Sequence, residues 1–268
     1  MESKYPPLLA IEEDESFPRA WDKAIRFIMK HGSIIPAEEF VQRRVLTRDV
    51  TATIMLTGKA VNDIIDTKLH PSFPTGNLHK VEYMNEFTYE FLESQDQLDD
   101  EDDKKFIYTY IERFVRRFGI DQLVLLSRRL RHEGISRRNQ AITWDVNNDY
   151  MSASPPCLQR IWIRPLDLKY SDGTQPIPVE LHFDFRSRDA FGAWPTNIIG
   201  IVHMIINYVL CNYNFERHQH GYEHLPTYIG GVKKHEYTLV KVVSHDNSLH
   251  IYEFDWDAAE KINHVFVK

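Results

Sequence analysis

The chain has 268 residues, of which 43% are apolar and 12% aromatic, enough to bury a sizeable core in one large or two smaller α/β domains. Its formal net charge of −7 argues against a bulk nucleic-acid or membrane-surface binder, because those need a positive field to attract phosphate; any anion site must be local. Two cysteines, Cys157 and Cys211, are too few for a disulfide framework, and no signal-peptide pattern opens the chain, so a reducing cytoplasm is the expected setting.

Residues 1–15 read as a flexible N-terminal segment. Over 16–32, Phe17, Trp21, Ala24 and Ile28 recur at helical spacing, with Ser16 as N-cap and Gly32 as stop. Residues 48–58 alternate β-branched and small side chains like a strand, and Pro and Gly make 70–77 a loop. In 78–94, Val81, Met84, Phe87 and Phe91 share one helical face. The acidic run 94–105 reads as a solvated loop or helix start rather than a metal site. A second amphipathic helix covers 120–134, ended by Gly134, and Arg137 and Arg138 then lead into a strand within 135–146. From Cys157 onward the pattern is mostly β, with strands at 157–164, 179–189, 237–245 and 248–254 and a long hairpin connection over 165–178. The apolar run 197–211, broken by His203 and Asn207, is too short to span a bilayer comfortably and reads as a buried helix, with Cys211 a packing residue inside it. No repeat, low-complexity segment or linker intervenes, so one α/β or α+β domain is the economical reading.

Several side chains invite chemistry. Along 181–186, Leu181, Phe183 and Phe185 point to one face while His182, Asp184 and Arg186 point to the other, because strand side chains alternate. Arg186 and Ser187 together offer guanidinium and hydroxyl donors suited to a phosphate or carboxylate, unless Arg186 pairs with Asp184 or Asp189 at the surface. His250 and Tyr252, two apart, share a strand face and could hold a sugar hydroxyl. Cys157, in "SPPCLQR", is by composition a small hydrophobe; to react it needs nearby positive charge or hydrogen-bond donors that lower its pKa.

Four stretches in this order, "ISRRNQAITWDVNND", "PPCLQ", "RSRDAFGAWPTN" and "LHIYEF", resemble the thymidylate synthase family, with "PPCLQ" closest to its archaeal-type branch. The resemblance implies a single domain over 1–268, a mixed β-sheet packed with helices, and a sheet-mediated homodimer. It implies that Cys157 attacks C6 of dUMP and that C5 then takes a one-carbon unit from 5,10-methylene-tetrahydrofolate or a methanopterin analogue, with no metal. Arg186 and Ser187 would bind the 5′-phosphate, joined by Arg137 and Arg138 from the other subunit and by Arg48, or alternatively Arg44. His250 and Tyr252 would hold the 3′-hydroxyl, and Asn197 would read the uracil edge where the family's dCMP hydroxymethylases carry Asp. Asp189 would contact the pterin-type ring and Tyr110 would take part in C5 proton removal. Glu86, with Glu90 as competitor, would organise proton-relay waters. Leu158 stands where most of the family has His, and the chain ends sixteen residues after Tyr252, without the long C-terminal extension of the common enzymes. A wetter site of that kind would favour the alternative product, 5-hydroxymethyl-dUMP; a non-catalytic nucleotide-binding homologue is the reading from another class.

Overall fold

In the computed structural model, residues 5–37, 45–76, 82–99, 106–133, 136–166, 176–211 and 237–262 are described. The first element is a strand, β1 (Leu8–Glu13), with Leu9, Ile11 and Glu13 facing inward. It corrects the expectation of a flexible 1–15: the alternation of apolar and exposed residues is short but sufficient, because β1 has a parallel partner elsewhere in the chain. Helix α1 (Phe17–His31) follows as its periodicity predicts, burying Phe17, Trp21, Ala24 and Ile28. At Gly32 the chain turns into β2 (Ser33–Pro36); a Cβ there would lie 2.6 Å from the Ile28 carbonyl oxygen, so only glycine fits. Strand β3 (Leu46–Thr57) runs into α2 (Gly58–Ile65) through Gly58, whose φ of 53° is in the left-handed region.

The expected helix over 78–94 is broken. A 3₁₀ turn at Asn85–Phe87 gives way to α3 (Tyr89–Asp96) at Thr88, whose hydroxyl caps the new helix by accepting from the Phe91 amide at 3.2 Å. The break buries Glu86 and Phe87 together; Val81 lies outside the described residues. Next come α4 (Tyr110–Val115), which the sequence patterns did not reveal, and α5 (Gln122–Glu133). The strand expected within 135–146 is confined to β4 (Gln140–Ile142), because Asp145 starts α6 (Val146–Asp149) by accepting from the Asn147 amide.

The rest of the sheet consists of β5 (Leu158–Pro165), β6 (Ile177–Phe185), β7 (Arg188–Asp189) and β8 (Tyr237–Tyr252). Two strands were expected, at 237–245 and 248–254; residues 237–252 form one strand of sixteen residues. Asp246 is buried against a cation, and Asn247 and Ser248 together face the single residue Thr51 of β3, a bulge in β8 that absorbs the polar pair without ending the strand. The apolar helix begins earlier than expected, as α7 (Trp194–Ile205) with Pro195 in its first turn, and continues as a π-helical turn at Ile206–Leu210. Cys211 follows that turn and is exposed, not buried as expected. Helix α8 (Trp256–Glu260) closes the described chain.

The eight described strands form one mixed sheet in the order β1-β3-β8-β6-β5-β4, with β2 beside β3 and β7 beside β8. β8 is the hinge of the pattern: antiparallel to β3, parallel to β6 and β7. Helices α1 and α2 pack on one face, where Val50, Ile54, Leu181, Phe183, Leu249 and Ile251 join the core. The other face carries Arg160 paired with Asp184, Glu180 paired with Arg164 and Lys241, and the stacked imidazoles of His182 and His245. Among the described residues no helix is long and apolar enough to cross a membrane.

Candidate active site

A cavity of about 780 Å³ opens where the C-terminal half of β8, the start of β5 and the turn into α7 meet the helical segment around Glu86 and the residues just before α4. Cys157, half-buried at the mouth of β5, lines it. The Arg186 guanidinium clamps the loop that presents the thiol: Nη2 donates to the Pro155 carbonyl at 2.8 Å and Nε to the Pro156 carbonyl at 3.2 Å. The same Nη2 lies 3.8 Å from Cys157 Sγ, so a cation stands beside the sulfur and favours its thiolate. Arg186 therefore leaves the core side of β6 as the alternation predicts, but neither surface pairing considered for it forms. Asp184 takes Arg160, and Asp189 accepts from the Phe191 and Gly192 amides at 2.9 and 3.0 Å.

Two phenols hold the backbone around the cysteine. Tyr108 Oη accepts from the Cys157 amide at 3.3 Å, and Tyr110 Oη accepts from the Leu158 amide at 3.2 Å. Burial raises both hydroxyls above the ordinary tyrosine range, and it pushes Tyr83, on the same wall, up to about 12. Leu158 itself is fully buried in the core. Tyr108 was not anticipated; its signal was the two-residue spacing from Tyr110 in an extended lead-in.

Opposite the thiol, Asn197 in the first turn of α7 donates its amide to Glu86 Oε1 at 3.2 Å. Burial drives the Glu86 carboxyl well above its ordinary 4.5, opposed by that hydrogen bond, so the fold favours its protonated form. Glu90 is exposed and faces Tyr208, away from the cavity. Ser187, Asp189, His250 and Tyr252 add polar groups to the lining, while Phe91, Leu98 and Phe106 supply apolar ones.

Four expected arginines, Arg48, Arg137, Arg138 and Arg186, lie outside the lining, Arg186 behind the loop that carries Cys157. Arg48, on β3, places its guanidinium 4.9 Å over the Trp256 ring, with Nε buried and without a hydrogen-bond partner. Arg137 and Arg138 are exposed before β4, where the Arg137 carbonyl accepts from Trp162 Nε1 at 2.9 Å. Arg44 lies outside the described residues. In their place the cavity wall holds an unanticipated cation. Arg188 is 3% exposed, bound through Nε and Nη2 to Asp246 and through Nη2 to Ser244, and stacked 3.9 Å from the Phe185 ring centroid. Strand alternation would have paired it with Arg186; the turn after β6 sends it inward.

A mixed α/β fold whose sheet brings a cation-flanked cysteine and a buried acid–amide pair to one cavity holds the groups that covalent attack on a small ligand would need. Similar proteins carry one recurring name. A relative from Methanothermobacter thermautotrophicus is 28% identical over 249 residues, covering 90% of this chain and 93% of its own length. One from Methanopyrus kandleri is 31% identical over 183 residues, 68% of this chain and 75% of the relative. One from Methanosarcina barkeri is 25% identical over 244 residues, 91% and 89% of the two chains. All three are named "Putative thymidylate synthase". No family model matches the chain. The chain belongs to the thymidylate synthase family.

Proposed function

We propose that this protein is a thymidylate synthase that methylates C5 of dUMP with 5,10-methylene-tetrahydrofolate, or a methanopterin-type relative, as one-carbon donor and reductant. The observation that carries the reading is the meeting, in one cavity, of Cys157 beside the Arg186 guanidinium and the Asn197–Glu86 pair. Attack of the Cys157 thiolate on C6 pushes the ring electrons toward C5 and O4, turning C5 into an enolate-type nucleophile. Asn197 can donate to O4 and accept from N3–H at once, which suits uracil, and a protonated Glu86 behind it can supply a proton to water at O4.

C5 then bonds to the one-carbon unit, loses its proton toward the tyrosine pair at Tyr110, and the bond from that carbon to the donor's nitrogen breaks to expel the reduced carrier and leave an exocyclic methylene. Hydride from the carrier, which becomes dihydrofolate, converts the methylene to methyl as the C6–sulfur bond breaks to return the thiolate. Ser187, Arg186 and Arg48 are assigned to the 5′-phosphate, His250 and Tyr252 to the 3′-hydroxyl, and Asp189 to the donor's ring. Arg137 and Arg138, exposed beside the polar face of the sheet, are assigned to the partner's site in a homodimer.

The test is incubation with [5-³H]dUMP and methylene-tetrahydrofolate. Tritium release with dTMP and dihydrofolate is the expected result. Release with a hydroxymethylated product and no dihydrofolate would shift the assignment to a 5-hydroxymethyltransferase, and no release would remove both.

A further inference from the structure

His250 is 4% exposed and lines the cavity, with Nε2 buried and unpartnered. Its other ring nitrogen, Nδ1, lies 3.2 Å from Ser248 Oγ, and Ser248 Oγ donates to Oδ2 of Asp49. Asp49 is 3% exposed on β3, directly across the ladder from His250, near the bulge opposite Thr51. Three side chains from two antiparallel strands thus form a hydrogen-bonded chain that ends in the cavity.

The proton count along this chain decides what the cavity meets. A serine hydroxyl has one proton. Given to the Asp49 carboxylate, it leaves only lone pairs toward the imidazole, so Nδ1 must carry the ring proton. In the neutral ring Nε2 is then a bare acceptor. Burial raises the Asp49 carboxyl, and the Ser248 hydrogen bond opposes the rise.

We infer that Asp49 and Ser248 are positioning residues that hold His250 in the tautomer whose Nε2 accepts a hydrogen bond, so that the site selects nucleotides bearing a free 3′-hydroxyl. The inference rests on the proposed function, which places the sugar at His250. A 3′-deoxy sugar leaves a buried acceptor unsatisfied, and a 3′-phosphate or a continuing strand sets acceptor against acceptor. The site is therefore built for free mononucleotides rather than for a nucleotide within a chain.

The experiment compares binding of dUMP and 2′,3′-dideoxyuridine 5′-monophosphate by calorimetry. Wild type is expected to prefer dUMP roughly tenfold or more. Ser248→Ala should erase most of that preference by weakening dUMP alone, and Ser248→Thr, which keeps the hydroxyl, should retain it. Nitrogen NMR of histidine-labelled protein should show His250 protonated at Nδ1 in wild type and mixed in Ser248→Ala. Equal weakening of both ligands in Ser248→Ala would mean a general structural role and overturn the inference, as would a wild-type ring protonated at Nε2. Equal affinity of wild type for the two ligands would overturn it while leaving the proposed function intact. Failure of dUMP to bind at all would remove both.

Discussion

Glu86 is the residue whose protonation the fold controls most directly. Between its ordinary value of 4.5 and its raised folded-state value, the folded chain keeps a proton that the unfolded chain has released. Stability contributed by this group is complete below 4.5 and falls as pH rises through that window. Glu86→Gln is neutral in both states, so its denaturant midpoint relative to wild type should rise between pH 5 and pH 8, and its kcat should fall about 10²–10⁴-fold as a proton-relay group is lost. An unchanged relative midpoint would mean that Glu86 is already ionised. Cys157→Ser should abolish turnover while Cys211→Ser, at an exposed position, should leave it largely intact, both read by tritium release. Cys157, Asn197, His250 and Tyr252 were legible because each sits in a short motif whose spacing survives without the fold. Arg188, Asp49 and Ser248 were not: their roles depend on partners 58 and 199 residues away, a separation no local pattern records.

At the scale of elements, α7 and the 3₁₀ turn carrying Glu86 meet at Gly200. A Cβ on that glycine would lie 2.4 Å from Phe87 Cδ2 and 2.7 Å from the Met84 carbonyl oxygen. Gly200→Ala must push the turn away, lengthening the Asn197–Glu86 contact at the far end of the same packing. Overpacking of this kind costs about 1–3 kcal/mol, so a lowered melting temperature with a disproportionate fall in kcat is expected. Full activity in a folded Gly200→Ala protein would show that the turn adjusts without moving Glu86. Helix α1 was readable because its apolar stripe is regular and uninterrupted. The stretch 78–94 misled because Met84, Phe87 and Phe91 keep helical spacing across a break that Thr88 imposes by capping. The 237–252 strand misled in the opposite sense: the polar Asp246 and Asn247 divide two apolar runs, and only Arg188 and a bulge in β8 keep them within one strand.

For the whole molecule, mixed α/β character followed from the alternation of patterns, but strand order did not, since β1, β3, β8 and β6 are neighbours only through long-range pairing. The assigned homodimer makes a sharp prediction. Mixing inactive Cys157→Ser with inactive Arg137→Ala/Arg138→Ala protein, under conditions that exchange subunits, should restore activity in roughly a quarter of the sites, because random pairing rebuilds one intact site in each mixed dimer. No restoration would mean that each chain supplies its own arginines. The sixteen residues of β8 carry one more consequence. Bonded by β3 on one side and by β6 and then β7 on the other, its amides can exchange with solvent only when the sheet itself opens. The opposite wall, made of short helical pieces at 85–96 and 110–115, can open by itself. In deuterium exchange the wall assigned to the sugar should behave as bedrock and the wall assigned to the base as a door, and a bound nucleotide should slow the second far more than the first.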